Sequence, residues 1–144
     1  MHLTKFTDNS LRVLIFLSLE PERKVNITEI AEKCEVPRNH LIKVVHAMAN
    51  RGLLETTRGK GGGVRLGRDP AEITVGEVVR VMEGNLNIVE CYEPRCPIVP
   101  MCRLRGLLNG ARDEFLRALD KHTIAELVEN KSAMKGLIGI SDSH

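Results

Sequence analysis

Three of the four cysteines fall within twelve residues, Cys91-Tyr92-Glu93-Pro94-Arg95-Cys96-Pro97-Ile98-Val99-Pro100-Met101-Cys102, a C-x4-C-x5-C spacing. Structural zinc sites favour closer cysteine pairs and four nitrogen or sulfur donors, and the next histidine here is the distant His122. Three thiolates on a proline-stiffened loop suit an iron–sulfur cluster better, because its irons take several soft ligands and tolerate irregular spacing. Zinc, and thiols that are merely reactive or bystanders, stay open as alternatives. A trio of cysteines leaves one position for an oxygen, a nitrogen or a partner-chain residue, which makes the site more labile than a four-thiolate one. A small reactive molecule could attack iron there. Cys34 lies far away on a predicted helix and reads as a small buried hydrophobe.

The second chemically distinctive stretch is basic. Residues 38–68 hold Arg38, Lys43, Arg51, Arg58, Lys60, Arg65 and Arg68 against the single acid Glu55, although the whole chain has a net charge of only +2. A local positive field on a near-neutral chain fits a polyanion touched by one face. Arg38, Asn39, His40 and Lys43 fall at the start of a predicted helix, with His46 further along and Thr28 on the helix before. A helix N-terminus fits the DNA major groove, where Arg pairs with guanine and Asn with adenine, and histidines donate to bases or phosphates. Arg58 and Lys60, at a predicted hairpin tip, suit phosphates or the narrow minor groove. The plain alternative is a solvated helix face. The glycine cluster at 59–63 lacks the GxxxxGK[ST] spacing and sits between strands, so it is not a nucleotide loop. The chain shows neither a Ser/His/Asp set nor paired acids, and we expect no enzyme.

The elements that position these residues can be read from periodicity and caps. A first helix is predicted over 8–20, apolar on most sides and ended by Pro21. Asn26 with Glu29 resembles a capping box opening a second helix. Val36-Pro37 leads into a third helix over 37–50, with Leu41, Val44, Val45 and Met48 as its buried stripe. Gly52 stops it. Two short strands, 53–57 and 64–66, flank the glycine-rich turn. Thr74 with Glu77 starts a fourth helix, and Pro94, Pro97 and Pro100 keep 85–101 irregular. A long helix over 102–121 carries the stripe Leu104, Leu107, Leu108, Ala111, Phe115, Ala118 and Leu119. Because specific DNA binders of this size dimerise on near-palindromes, this stripe is the candidate dimerisation element; packing on its own domain is the alternative. Thr123 with Glu126 signals a last short helix.

The expected fold is mainly α: a winged helix-turn-helix with a small β-hairpin wing and a long C-terminal dimerisation helix. It divides into a DNA-binding region (1–70), a connecting helix and cysteine loop (71–101), a dimerisation helix with a short helix (102–131) and a mobile tail (132–144). The length of 144 residues allows one domain, burying roughly 70% of its unfolded surface. With only 3% aromatics (Phe6, Phe16, Phe115, Tyr92) and no Trp, base-stacking single-strand modules and carbohydrate platforms are excluded. No stretch approaches the roughly 18 apolar residues of a membrane span. The run Leu11–Leu19 is interrupted by Arg12 and Ser18 and lacks a small-residue cleavage site, so a cytoplasmic location is expected.

Several motifs, in order, resemble the Rrf-type winged-helix iron–sulfur regulators. They are Ile30-Ala31-Glu32, Leu41-Ile42-Lys43-Val44-Val45, Gly52-Leu53-Leu54, Arg58-Gly59-Lys60-Gly61-Gly62-Gly63-Val64-Arg65-Leu66, Ile73-Thr74-Val75-Gly76-Glu77 and Val81-Met82-Glu83-Gly84. The opening Leu3-Thr4-Lys5-Phe6-Thr7-Asp8, Leu11-Arg12 and the cysteine loop are similar to the nitric-oxide-sensitive repressors within that family. The likeness spans about residues 1–125. It implies a homodimer with one 2Fe–2S or 4Fe–4S cluster per subunit, held by Cys91, Cys96 and Cys102. The cluster-bound form would repress genes of nitric-oxide defence from a palindromic operator in double-stranded DNA, and nitrosylation would release the DNA. In the 4Fe–4S form of the family an aspartate of the partner's first helix is the fourth ligand. Asp8 is the matching position, and its alternative is an ordinary helix N-cap. The branch of the family that governs cluster assembly has wider cysteine spacing and a histidine where this chain has Arg105. That reading, sensing cluster supply or redox state, is the alternative. A zinc-stabilised regulator or an electron-transfer protein lies further off. Val64 departs from the family, many of whose members carry an aromatic residue there.

Overall fold

Thr4 starts the first helix: its hydroxyl accepts the Thr7 N–H at 3.3 Å, one of the helix-end donors that otherwise lack a partner. The computed structural model describes residues 1–141. Helix α1 spans Lys5–Ser18, beginning three residues before the apolar pattern that predicts it. Val13, Leu14, Phe16 and Leu17 are buried on it. The buried hydroxyls of Ser10 and Ser18 are satisfied by the carbonyls of Phe6 at 2.7 Å and Leu14 at 2.6 Å. The next two helices, the hairpin and the helix that follows it all pack against α1, which makes it the central pillar of the core.

Helix α2 covers Ile27–Cys34 and is capped by the Asn26 side chain, which accepts the Glu29 N–H at 2.8 Å. Glu35 leaves the helix in the left-handed region (φ 54), and the Val36 N–H returns to the Ala31 carbonyl at 3.0 Å. That turn sets helix α3, Arg38–Asn50, against α2. Leu41, Val44, Val45 and Met48 face the core, as the stripe predicts.

Strands β1 (Leu54–Thr57) and β2 (Gly63–Leu66) form an antiparallel hairpin in the register Leu54↔Leu66, Glu55↔Arg65, Thr56↔Val64, Thr57↔Gly63. At its tip a Cβ on Gly62 would stand 2.2 Å from the Thr57 carbonyl oxygen, so only glycine fits there. Val64 is buried (3% exposed) and exchanges backbone hydrogen bonds with Val25 at 2.9 and 2.8 Å. A valine is therefore accommodated by the core under the wing.

Helix α4, Val75–Met82, is capped by the Thr74 hydroxyl on the Glu77 N–H at 3.0 Å. An irregular segment with one 3₁₀ turn at Val99–Met101 leads to helix α5, Leu104–Asp120. At Gly76 a Cβ would collide with the Asp120 side chain. The glycine thus lets Asp120 reach across to Arg80, which grips it with both guanidinium nitrogens, one at 2.8 Å. That pairing holds the Asp120 carboxyl below its usual range. Residues 122–124 then run beside 73–75, and Ile124 enters the core. The short helix signalled by Thr123 is a 3₁₀ turn, Ala125–Val128.

The expectation of a mobile tail over 132–144 needs correction. Lys131–Ile138 form helix α6, whose terminal carbonyls at Ile138 and Gly139 accept from the Lys33 ammonium at 2.9 and 3.1 Å. Ile138 and Ile140 pack on the core. Met134, Leu137, Ile138 and Ile140 give the stretch a short apolar pattern interrupted by Gly136, with no local sign of the partner that α2 supplies. Residues 142–144 of the expected tail lie outside the described residues. Among the described residues no helix is long and apolar enough to cross a membrane.

Candidate functional site

The outer face of α3 begins at Pro37, a helix start without a side-chain cap, followed by exposed Arg38 and Asn39. The Asn39 side-chain oxygen accepts the His40 N–H at 2.9 Å, which leaves the amide NH2 uncommitted. Lys43 and His46 continue the exposed face, with exposed Ile42 beside them and His46 Nε2 3.3 Å from the Asn50 amide. Thr28 is exposed on α2.

His40 departs from its expected place. Its ring turns inward and meets Phe6 of α1 edge-on, with centroids 6.3 Å apart, and its Nε2 is buried without a hydrogen-bond partner. A histidine at the third position of α3 lies on the side facing α1, where its ring packs against Phe6.

The hairpin tip carries exposed Arg58 and Lys60. Two other members of the basic stretch are already occupied. Arg65 pairs with Glu55 directly opposite at 3.2 Å, and Arg68 with Glu77 at 2.5 Å and the Glu72 carbonyl at 2.9 Å. Among the described residues Arg38, Lys43, Arg51, Arg58 and Lys60 have no ion pair. These five are the uncompensated cations of the stretch.

Cys91, Cys96 and Cys102 are free, half-buried thiols on the segment between α4 and α5. Backbone bonds step from one to the next: Cys96 N–H to the Cys91 carbonyl at 2.9 Å, Val99 N–H to Cys96 and Cys102 N–H to Val99, both at 3.3 Å. Tyr92 and Arg95 bridge the first turn, and the Arg105 guanidinium at the start of α5 lies 4.9 Å from the Tyr92 ring centre. The donors suit an iron–sulfur cluster in kind, as three soft thiols on one short loop. The structure does not gather them further: among the described residues no three His, Cys, Asp or Glu side chains form a group that could hold a metal ion. Cys34 stands apart beside Arg12, and burial pushes its thiol up to about 11.

Asp8 is not the N-cap; Thr4 is. Asp8 sits in the first turn of α1 and pairs with Arg12 at 3.1 Å, half exposed. On α5 only Leu116 is buried, Leu108 and Leu119 are intermediate, and Leu104, Leu107, Ala111 and Phe115 are exposed. Leu107 is 70% exposed. The predicted stripe therefore splits, with its outer part uncovered along the helix.

Sequence reasoning missed Glu83. Its carboxylate accepts from Thr4 N–H at 3.2 Å, Thr4 Oγ1 at 3.1 Å and Thr7 Oγ1 at 2.6 Å. The signal was an acid at the end of α4, where the helix dipole disfavours a negative charge unless something else holds it.

A model of the Rrf2 family, described as iron-dependent transcriptional regulators, matches residues 3–130. The chain is 47% identical over 146 residues to the HTH-type transcriptional regulator NsrR of Bacillus subtilis, covering 99% of this chain and 100% of that one. It is 44% identical to NsrR of Geobacillus kaustophilus, covering 96% and 97%. Among solved structures it resembles T. potens IscR with a TM-score of 0.73 at 21% identity, over 90% of this chain and 88% of the other. It also resembles CymR, the global cysteine regulator of B. subtilis, with a TM-score of 0.70 at 27% identity, over 90% and 98%.

Proposed function

The chain belongs to the Rrf2 family of iron-dependent transcriptional regulators, and on that premise we propose that it is a DNA-binding repressor governed by an iron–sulfur cluster that nitric oxide attacks. The observation that carries the reading is the loop of three free, half-buried thiols, Cys91, Cys96 and Cys102, set between the winged helix and α5. When bound, a cluster there supplies iron open to a small reactive ligand. Cys91, Cys96 and Cys102 would hold it, and Asp8 of a second copy would offer the fourth donor. Arg38, Asn39, Lys43 and His46 read the major groove, Thr28 supports them on α2, and Arg58 and Lys60 hold the phosphates. The exposed side of α5 pairs two subunits, so that two copies of α3 face successive turns of a palindrome. Switching requires that the two states of the loop differ in DNA affinity.

Anaerobic purification, an absorption spectrum and iron, sulfide and zinc analysis test the centre. A coloured protein carrying iron and sulfide is expected; a colourless zinc protein overturns the sensor. Operator binding followed by anisotropy should be salt-sensitive and should disappear on nitric oxide treatment. Equal binding before and after treatment would leave a DNA-binding protein without this sensing role.

A further inference from the structure

Glu83 is the last residue tied to α4 before the segment that leads to the cysteines. Three donors of the first turn of α1 converge on its carboxylate at 2.6 to 3.2 Å. Bonds to an ionised carboxylate are among the stronger ones, and a negative charge at a helix start also meets the favourable end of the dipole. Thr7 is wholly buried, and without Glu83 its hydroxyl keeps only Thr4 Oγ1 at 3.2 Å. Next to Thr7, Phe6 meets His40 edge-on. His40 lies in the first turn of α3 and its buried Nε2 has no partner, so packing against α1 sets the ring. Glu83 also lines a cleft of about 550 Å³ together with Leu3, Leu86, Arg112 and Phe115, so the start of α1, the start of the loop and α5 border one space.

We propose that Glu83 is a positioning residue: from the base of the cysteine loop it holds the first turn of α1, and through Phe6 and His40 that turn places the DNA-facing start of α3. Its regulatory meaning rests on the repressor reading above, whereas its mechanical content does not. Apolar packing of α4 on α1 fixes the two helices broadly. The Glu83 bonds are the polar, directional part of that contact, and they lie where a shift of the loop is felt first.

The test uses the full chain, with Glu83→Gln and Thr7→Val as disrupting variants and Thr7→Ser as the conservative one. Arg80→Ala, which breaks the neighbouring α4–α5 pair, controls for general loosening. Amide exchange at residues 41–45 and the His40 ring resonances report on α3. Affinity for a palindromic duplex, selected from random sequence with the cluster-loaded protein, is measured before and after nitric oxide. Glu83→Gln and Thr7→Val should each speed exchange at residues 41–45 and shift the His40 resonances. Each should also shrink the affinity ratio by about tenfold, a usual size for site-to-site coupling. The two together should do little more than either alone, and Thr7→Ser should behave as the parent. Faster exchange confined to residues 4–8, or an equal effect from Arg80→Ala, overturns the proposal. If the parent chain shows no affinity change with nitric oxide, the sensing reading fails, while the exchange data still decide the role of Glu83.

Discussion

At the scale of the residue, charge counts differ from usable charge. Arg65 and Arg68 belong to the basic stretch by sequence but already hold Glu55 and Glu77, whereas Arg58 and Lys60 hold nothing among the described residues. Replacing Arg58 and Lys60 by Ala in both subunits of a dimer should lower the slope of log affinity against log salt by about 3.6, near 0.9 for each of the four phosphates no longer neutralised; Arg65→Ala should change it far less. A salt titration by anisotropy checks both. Cys34 carries a second prediction. With its thiol pushed up to about 11, the folded state keeps the proton while the pH passes the ordinary value of 9.0. At pH 8 only about one thiol in a thousand is ionised, and iodoacetamide should leave Cys34 unmodified in the native chain. Modification should rise steeply towards pH 11, as peptide mass spectrometry would record; rapid labelling at pH 8 contradicts the burial. The cysteine spacing and the basic face were legible because residue type and interval carry that information. The inward turn of His40 was not, because it depends on a ring of α1 far earlier in the chain. Nor was the cap at Thr4, which starts α1 early enough to place Asp8 inside its first turn.

At the scale of the element, local signals predict local structure well. Asn26 and Thr74 cap their helices as the box pattern indicates, and the glycine run makes the hairpin. These depend on neighbours three or four positions away. Helix α6 was not legible because Gly136 weakens its local signal, Gly139 ends it in the left-handed region and a distant lysine, Lys33, secures it. The approach of α4 to α5 gives a stability prediction. Gly76→Ala should displace Asp120 and its grip on Arg80, costing about 1–3 kcal/mol as overpacking does, although alanine is the better helix former. Urea unfolding checks the sign. On α5, Leu107→Arg should leave the fold of the single chain intact, since the side chain is mostly exposed there, and should lower the melting temperature only through the lost association. It should convert a dimer to a monomer in light scattering. A dimer that persists removes this face from the interface.

At the scale of the molecule, the core joins distant parts of the chain: α1 at its centre, Ile73 and Val78 from the middle, and Ile124 from beyond α5. Ending the chain at Asn130 should remove the packing of Ile138 and Ile140 and the two bonds of Lys33. A loss of about 2 kcal/mol is expected from burial at about 25 cal/mol per Å². It should appear as an earlier urea midpoint, and an unchanged midpoint would mean that α6 adds nothing to the fold. The Lys33 contact has a further consequence for biosynthesis. The acceptors of its ammonium lie 105 and 106 residues downstream. On the ribosome, the helix-turn-helix therefore emerges long before the segment that fastens its flank has been made, and a nascent chain stalled after α3 exposes that flank to chaperones and proteases.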